Sequence, residues 1–206
     1  MNEKILMIKR WLGTGSINIF GYPMSGKDTQ GVRLAEAIGG KLLSSGIIIR
    51  ANEAEKHKNL TGKGNLIPTD IFYEWVLPYF EREDLKSYPL ILSSIGRWSG
   101  EEDTVMETAE KAGHEIKVAV LLNISEADVL ERFHKLQVLD ERDRGERNDD
   151  KDLTIFKTRL EEFRLKTLPV LEHYKQMELL VTVNGDQSRE EVFSEMIDKL
   201  YDFSQR

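Results

Sequence analysis

Short runs rich in apolar and β-branched residues recur along the chain at residues 17–20, 41–45, 90–94, 117–123 and 179–184. Their length and bounding turn residues read as strands. Between them, at 31–38, 69–80, 101–112, 126–136, 153–174 and 189–203, apolar residues instead return every three or four positions, the spacing of an amphipathic helix. Strands alternating with helices of this length predict βαβ units, hence a parallel sheet covered on both faces. The nearly unbroken apolar run Val118-Ala119-Val120-Leu121-Leu122 suits a strand buried on both sides, and Ser125 is placed to cap the helix that follows. Residues 1–12 read as a short helix or arm, with Met7, Ile8, Trp11 and Leu12 on its apolar side. The expected architecture is a three-layer α/β/α domain on a five-stranded parallel sheet, spanning residues 1–206 as one unit.

Two stretches break the alternation. Residues 51–68 are polar and carry Gly62 and Gly64, and residues 138–151 are densely charged. Long polar insertions in an α/β core usually cover or bind a ligand, and both should lie at the carboxyl ends of the strands.

Composition narrows the function without naming it. A chain of 206 residues with 40% hydrophobic and 32% charged positions can bury one core. The absence of cysteine excludes disulfides and thiolate metal sites, and the histidines at 57, 114, 134 and 173 have no paired spacing for a metal. A net charge of −7 argues against a broad nucleic-acid surface. No window is apolar enough for a membrane span, and Met1-Asn2-Glu3-Lys4 does not open a signal peptide, so a cytoplasmic protein is expected. Arg142, Arg144 and Arg147 crowd one charged run, which reads equally as a self-paired solvated surface or as a loop that carries guanidinium groups to a polyphosphate. With no spare amphipathic surface, a monomer is expected.

The most informative segment follows the first strand: Gly21-Tyr22-Pro23-Met24-Ser25-Gly26-Lys27-Asp28-Thr29-Gln30. A glycine-bounded loop between strand and helix directs backbone N–H groups inward and ends on the positive pole of a helix, where phosphate oxygens bind. Lys27 adds a charge that reaches a terminal phosphate, and the Thr29 hydroxyl is placed to help hold Mg²⁺. Asp28 stands where most phosphate loops carry a small or hydroxylated residue. A carboxylate there repels phosphate unless it turns outward or faces a metal ion, which makes Asp28 a second candidate for the metal.

This loop resembles the G-x-P-G-x-G-K-G-T-Q motif of the adenylate kinase-type nucleoside monophosphate kinases in their short-lid form, with Met24 and Asp28 in place of two glycines. The likeness extends over nearly the whole chain. Ser44-Ser45-Gly46-Ile47-Ile48-Ile49-Arg50 resembles S-T-G-D-L-L-R, which implies that Ser45 and Arg50 contact the acceptor. Gly64-Asn65-Leu66-Ile67-Pro68 resembles G-x-L-V-P and implies that Leu66 and Ile67 seat the acceptor base. Ser93-Ser94-Ile95-Gly96-Arg97 stands for D-G-F-P-R; Arg97 keeps the phosphate-clamping arginine, while Ser93 replaces the aspartate that orders the magnesium water shell, a role for which Asp28 and Glu102 are the candidate acids. Glu101 falls where adenylate-specific members carry a glutamine that reads adenine, and a carboxylate favours a base edge rich in N–H donors.

In the second half, Arg132 matches the helix arginine along ATP, and Leu136 falls where a further arginine is expected. Arg147-Asn148-Asp149-Asp150 resembles the closing R-x-D-D of the lid, Arg159 follows one residue later than the family spacing, and Gln187 lies in the turn against the donor adenine. The resemblance therefore implies a P-loop NTPase fold with an acceptor-binding insert at 46–80 and a short lid at 137–151. It implies catalytic roles for Lys27, Arg97, Arg132, Arg147 and Arg159. ATP would be held by Gly21, Met24, Ser25, Gly26, Lys27, Asp28, Thr29, Arg132 and Gln187, and the acceptor by Ser45, Arg50, Leu66, Ile67, Arg97 and Glu101. The implied reaction moves the γ-phosphoryl group from Mg·ATP to a nucleoside monophosphate, AMP by default. Asp28, Ser93 and Leu136 motivate an alternative, an ATP-binding regulatory protein that keeps the fold with impaired catalysis. A third reading keeps the kinase chemistry with another small acceptor.

Overall fold

The computed structural model describes residues 1–56, 59–138 and 152–206. Five parallel strands form one sheet in the order β2-β3-β1-β4-β5. They are β1 (Ser16–Gly21), β2 (Lys41–Ser44), β3 (Leu90–Ser93), β4 (Ile116–Asn123) and β5 (Leu180–Asn184). From β1 the chain travels outward to β2, returns to β3, then crosses to β4 and β5. The strand order thus reverses at β1, and a crevice opens beyond its carboxyl end, where parallel α/β sheets bind ligands. The loop from Gly21 to Gly26 begins at that point.

The two-residue period of β1 sorts its side chains between two cores. Ile17 and Ile19 pack with α1 (Asn2–Leu12), α2 (Lys27–Ile38) and α9 (Arg189–Ser204), through Ile8, Leu34 and Met196. Phe20 packs on the opposite face with Trp75, Val105 and Tyr174, from α4 (Thr69–Val76), α5 (Glu102–Lys111) and α8 (Leu168–Gln176). Each such side chain is fully or almost fully buried and contributes about 1.5–3 kcal/mol. Asn18 shares the Phe20 face and is wholly buried. Its Nδ2 donates to the Ile95 carbonyl at 2.8 Å and its Oδ1 accepts from the Ile95 amide at 3.2 Å, so β1 grips the loop that follows β3.

The three-layer architecture and all five strands agree with the expectation, and Ser125 caps α6 (Glu126–Val138), its Oγ accepting from the Asp128 amide at 3.1 Å. Three elements differ. Ser45 leaves the second strand and opens α3 (Ser45–Glu55), a helix the pattern does not predict, anchored by buried Ile48 and Ile49. The helix expected at 69–80 ends as α4 at Val76 and tightens into a 3-10 turn over Leu77–Glu81, where Pro78 withdraws an N–H from the α ladder. The long helix expected at 153–174 is α7 (Leu153–Glu162) and α8 joined by a π turn at Phe163–Thr167. Most of the expected lid at 137–151, including Arg142, Arg144 and Arg147, lies outside the described residues. Among the described residues no helix is long and apolar enough to cross a membrane.

Candidate active site

Two cavities meet at the start of α2. The larger, about 470 Å³, lies between the glycine loop, α6 and the turn after β5. Met24, Ser25, Gly26, Lys27, Asp28 and Thr29 line one side of it, with Arg132, Leu136 and Gln187 opposite. Arg132 is held by the loop it faces: Nη1 donates to the Met24 carbonyl at 3.3 Å and Nη2 to the Gly185 carbonyl at 2.7 Å. The guanidinium thus ties the phosphate loop to the β5–α9 turn while walling the cavity. Gln187 donates to the Asn184 carbonyl and to Glu195, which fixes that turn from within.

The loop itself is tightly specified. An ideal Cβ on Gly21 would lie 2.4 Å from Ser25 Oγ, so glycine is required there for the loop to turn back on itself. Gly26 opens α2 with φ 91°, and Met24 holds φ 61°, a left-handed conformation at the position where the resembled motif has glycine. The buried Ser25 hydroxyl has no hydrogen-bond partner among the described residues. An orphaned donor inside such a loop suits an anion, since buried polar groups are otherwise satisfied.

The smaller cavity, about 90 Å³, shares Lys27 and Asp28 with the first. Gly21, Ser45, Arg50 and Leu66 also border it, together with Arg97 and Arg159. The sheet gathers here residues that lie far apart in sequence. Burial pushes the Arg97 pKa down to about 10, helped by repulsion from Arg159 and Arg50 and opposed by Glu101 and Asp28. It stays protonated at neutral pH. A buried guanidinium repelled by two others on the same cavity forms a site that a multiply charged anion relieves.

The backbone that presents Arg97 is clasped on every side. Glu101 Oε2 accepts from the Arg97 amide at 3.0 Å and the Trp98 amide at 3.1 Å, and Thr167 Oγ1 donates to the Arg97 carbonyl at 3.0 Å. Asn18 holds Ile95 just upstream. Glu101 Oε1 also accepts from Thr69 Oγ1 at 2.9 Å, which links this loop to the start of α4. Burial raises the Glu101 pKa above its usual range, against the pull of these donors and of Arg97. Expected as an acceptor for the substrate base, Glu101 is thus already an acceptor for the protein. It does border a small space of about 10 Å³ with Leu66, Ile67 and Phe72.

The segment that precedes α4 touches α7 directly. The Leu66 amide donates to Glu162 Oε2 at 2.9 Å, and Lys166 donates to the same oxygen at 2.7 Å. Gly64, with φ 86°, passes so close to α7 that a Cβ would lie 2.6 Å from the Ile155 carbonyl. Lys166 also stands 3.9 Å over the Trp98 ring.

Of the residues expected at the site, all within the described residues line one or other of these spaces; Arg147 lies outside them. Sequence reasoning missed Asn18, Glu162 and Thr167. Asn18 could have been found, as the single amide in an apolar strand; the others become visible only once α7 is folded over the insert.

The family model described as adenylate kinase matches residues 19–179. Adenylate kinase 1 of Nostoc sp. (strain PCC 7120 / SAG 25.82 / UTEX 2576) is 30% identical over 182 residues, covering 85% of this chain and 93% of the relative. The adenylate kinase of Thermus thermophilus is 28% identical over 190 residues, with 89% and 96% covered. That of Mycobacterium tuberculosis is 29% identical over 188 residues, with 88% and 97% covered. Among solved structures, a gluconokinase from Sinorhizobium meliloti 1021 superposes with a TM-score of 0.60 at 22% identity, over 93% of this chain and 94% of that one, a likeness of fold.

Proposed function

This chain belongs to the adenylate kinase family and is a nucleotide kinase, a phosphotransferase with a phosphate group as acceptor; on that premise we propose that it transfers the γ-phosphoryl group of ATP to a nucleoside monophosphate, with AMP the default acceptor. The observation that carries this reading is the convergence of Arg50, Arg97 and Arg159 on a cavity that meets the donor cavity at Lys27. Such a concentration of positive charge suits a phosphate acceptor and exceeds what a neutral hydroxyl needs.

In this reading ATP lies in the larger cavity. The glycine loop and the Ser25 hydroxyl cradle its phosphates, and Arg132 and Gln187 border its base. The acceptor phosphate sits among Arg50, Arg97 and Arg159, and its base lies toward Leu66 and Ile67. Lys27, on the seam, stays with the phosphoryl group as it moves. Phosphoryl transfer demands positioning and charge stabilisation rather than covalent chemistry from the protein, which is why arginine recurs. The contact of Gly64 and Leu66 with α7 excludes water from the acceptor side, as transfer without hydrolysis requires.

The donor set fits Mg²⁺ arriving with ATP. Among the described residues no trio of acidic or histidine side chains forms a self-sufficient metal site, while Thr29 and Asp28 offer one hydroxyl and one carboxylate beside the phosphate loop. Magnesium uses one or two carboxylates together with phosphate and water. When bound, it would neutralise charge on the transferring phosphates.

The test is ADP production from Mg·ATP against AMP, CMP, UMP, GMP and dTMP, with Lys27→Ala as the blank. We expect turnover with one acceptor, lowered about 10²–10³-fold or more in the blank. Tight ATP binding with no turnover on any acceptor would favour the regulatory, catalytically impaired alternative.

A further inference from the structure

Ser93 ends β3 in register with Ile19 and Ser44, and it is buried at 2% exposure. Its Oγ donates to Asp28 Oδ1 at 2.5 Å, across a sequence separation of 65 residues. Both residues border the cavity that holds Lys27 and Arg97, and the charge of Asp28 is felt by the Arg97 guanidinium. In the resembled motifs these two positions hold glycine in the loop and aspartate at the strand end. Here the small residue and the carboxylate have changed places, and the two side chains touch.

An aspartate in the first turn of a helix has an ordinary explanation, attraction to the positive helix pole. That explanation leaves Ser93 unaccounted for. It also leaves a carboxylate inside a phosphate loop whose neighbouring hydroxyl, Ser25 Oγ, is buried without a partner among the described residues. A carboxylate in that setting is tolerated when a cation stands between it and the phosphates.

We propose that the carboxylate which orders the magnesium water shell has moved in this chain from the end of β3 to the start of α2. Asp28 is the metal-ordering group and Ser93 its positioning residue. The carboxylate keeps one oxygen fixed by the Ser93 hydroxyl, so its direction is set by the sheet rather than by the helix alone. The two departures from the motif are then one compensated exchange, and the site is intact rather than lost. The proposal rests on the nucleotide-kinase reading.

The test is the affinity of ATP measured by calorimetry with and without Mg²⁺, on the wild type, Asp28→Asn, Ser93→Ala and the reciprocal exchange Asp28→Gly/Ser93→Asp. Thermal unfolding of each variant confirms that it is folded. In the wild type Mg²⁺ tightens ATP binding. Asp28→Asn should lose about 10- to 100-fold of that gain, the usual effect of removing an outer partner of a metal, while binding metal-free ATP at least as well. Ser93→Ala should lose part of the gain, and the exchange should recover most of it. Electron paramagnetic resonance of Mn²⁺ in the ATP complex gives the same ordering from the metal itself.

A folded Asp28→Asn protein with the full Mg²⁺ gain overturns the proposal. So does a folded reciprocal variant that recovers none of it. Wild-type ATP binding indifferent to Mg²⁺ sinks this proposal alone, whereas no ATP binding under either condition sinks the nucleotide reading as well.

Discussion

Replacing Glu101 by alanine takes the acceptor away from three donors at once: the Arg97 and Trp98 amides and the Thr69 hydroxyl. The hydroxyl can rotate toward water, but the amides sit under a side chain only 4% exposed and cannot follow. An orphaned buried N–H costs about 1–3 kcal/mol, and because Arg97 and Trp98 are half-buried the lower end applies, so the sum is about 2–3 kcal/mol. Glutamine behaves differently. Its oxygen can accept from both amides while its NH₂ donates to Thr69 Oγ1, so every partner remains satisfied. It also removes a charge whose burial raises the pKa.

The sign of that last effect is open to measurement. A carboxyl whose folded pKa is raised stabilises the fold fully below its unfolded pKa and loses that contribution as pH rises through the folded value. Wild type should therefore fall behind Glu101→Gln near neutral pH and draw closer to it in mild acid. Urea unfolding of the three proteins at neutral and mildly acidic pH decides the matter, with acceptor KM as a companion reading, because a loosened Arg97 weakens acceptor binding before donor binding. An alanine cost under about 1 kcal/mol, or equal costs for alanine and glutamine, would refute the reasoning.

Three further outcomes follow from the same geometry. Gly64→Ala places a Cβ 2.6 Å from the Ile155 carbonyl and should raise acceptor KM well above any change in ATP KM in two-substrate kinetics. Met24→Gly should stay within about 1 kcal/mol of wild type in chemical denaturation, whereas Met24→Ile should cost about 1–2 kcal/mol more, since a β-branched side chain resists φ 61°. Burial, with a hydrogen bond donated to Glu126, pushes the Tyr22 hydroxyl from 10.0 up to about 12. Its contribution is complete below pH 10 and lost as pH rises to about 12, so stability should decline across that window and Tyr22→Phe should flatten the decline.

The strands and the phosphate loop were legible because their signals are local: apolar runs of fixed length, and glycines where the backbone must turn. Ser45–Glu55 was not. Ile47-Ile48-Ile49 is a β-branched run with low helix propensity, and it is helical because Ile48 and Ile49 bury against the sheet layer while Ile47 stays exposed. Arg50, Arg97 and Arg159 could be listed from their order in the chain, but the repulsion that Arg97 feels from the other two appears only when the fold brings them together. Glu101 shows the opposite limit. Its residue type suggested a partner in the ligand, and the fold supplies partners from the protein first.

The π turn at Phe163–Thr167 bears on chain length. It takes up one residue more than an α-helix needs to connect α7 with α8. Loss of one residue from the exposed pair Arg164 and Leu165 would let the segment close as ordinary α-helix. Phe156 and Leu160 would stay against α6, and Val170 and Tyr174 against the sheet. The same loss within α8 would swing Tyr174 by about 100° away from Phe20. This stretch thus carries a place where the sequence can shorten by a residue while its apolar contacts with α6 and with the sheet persist.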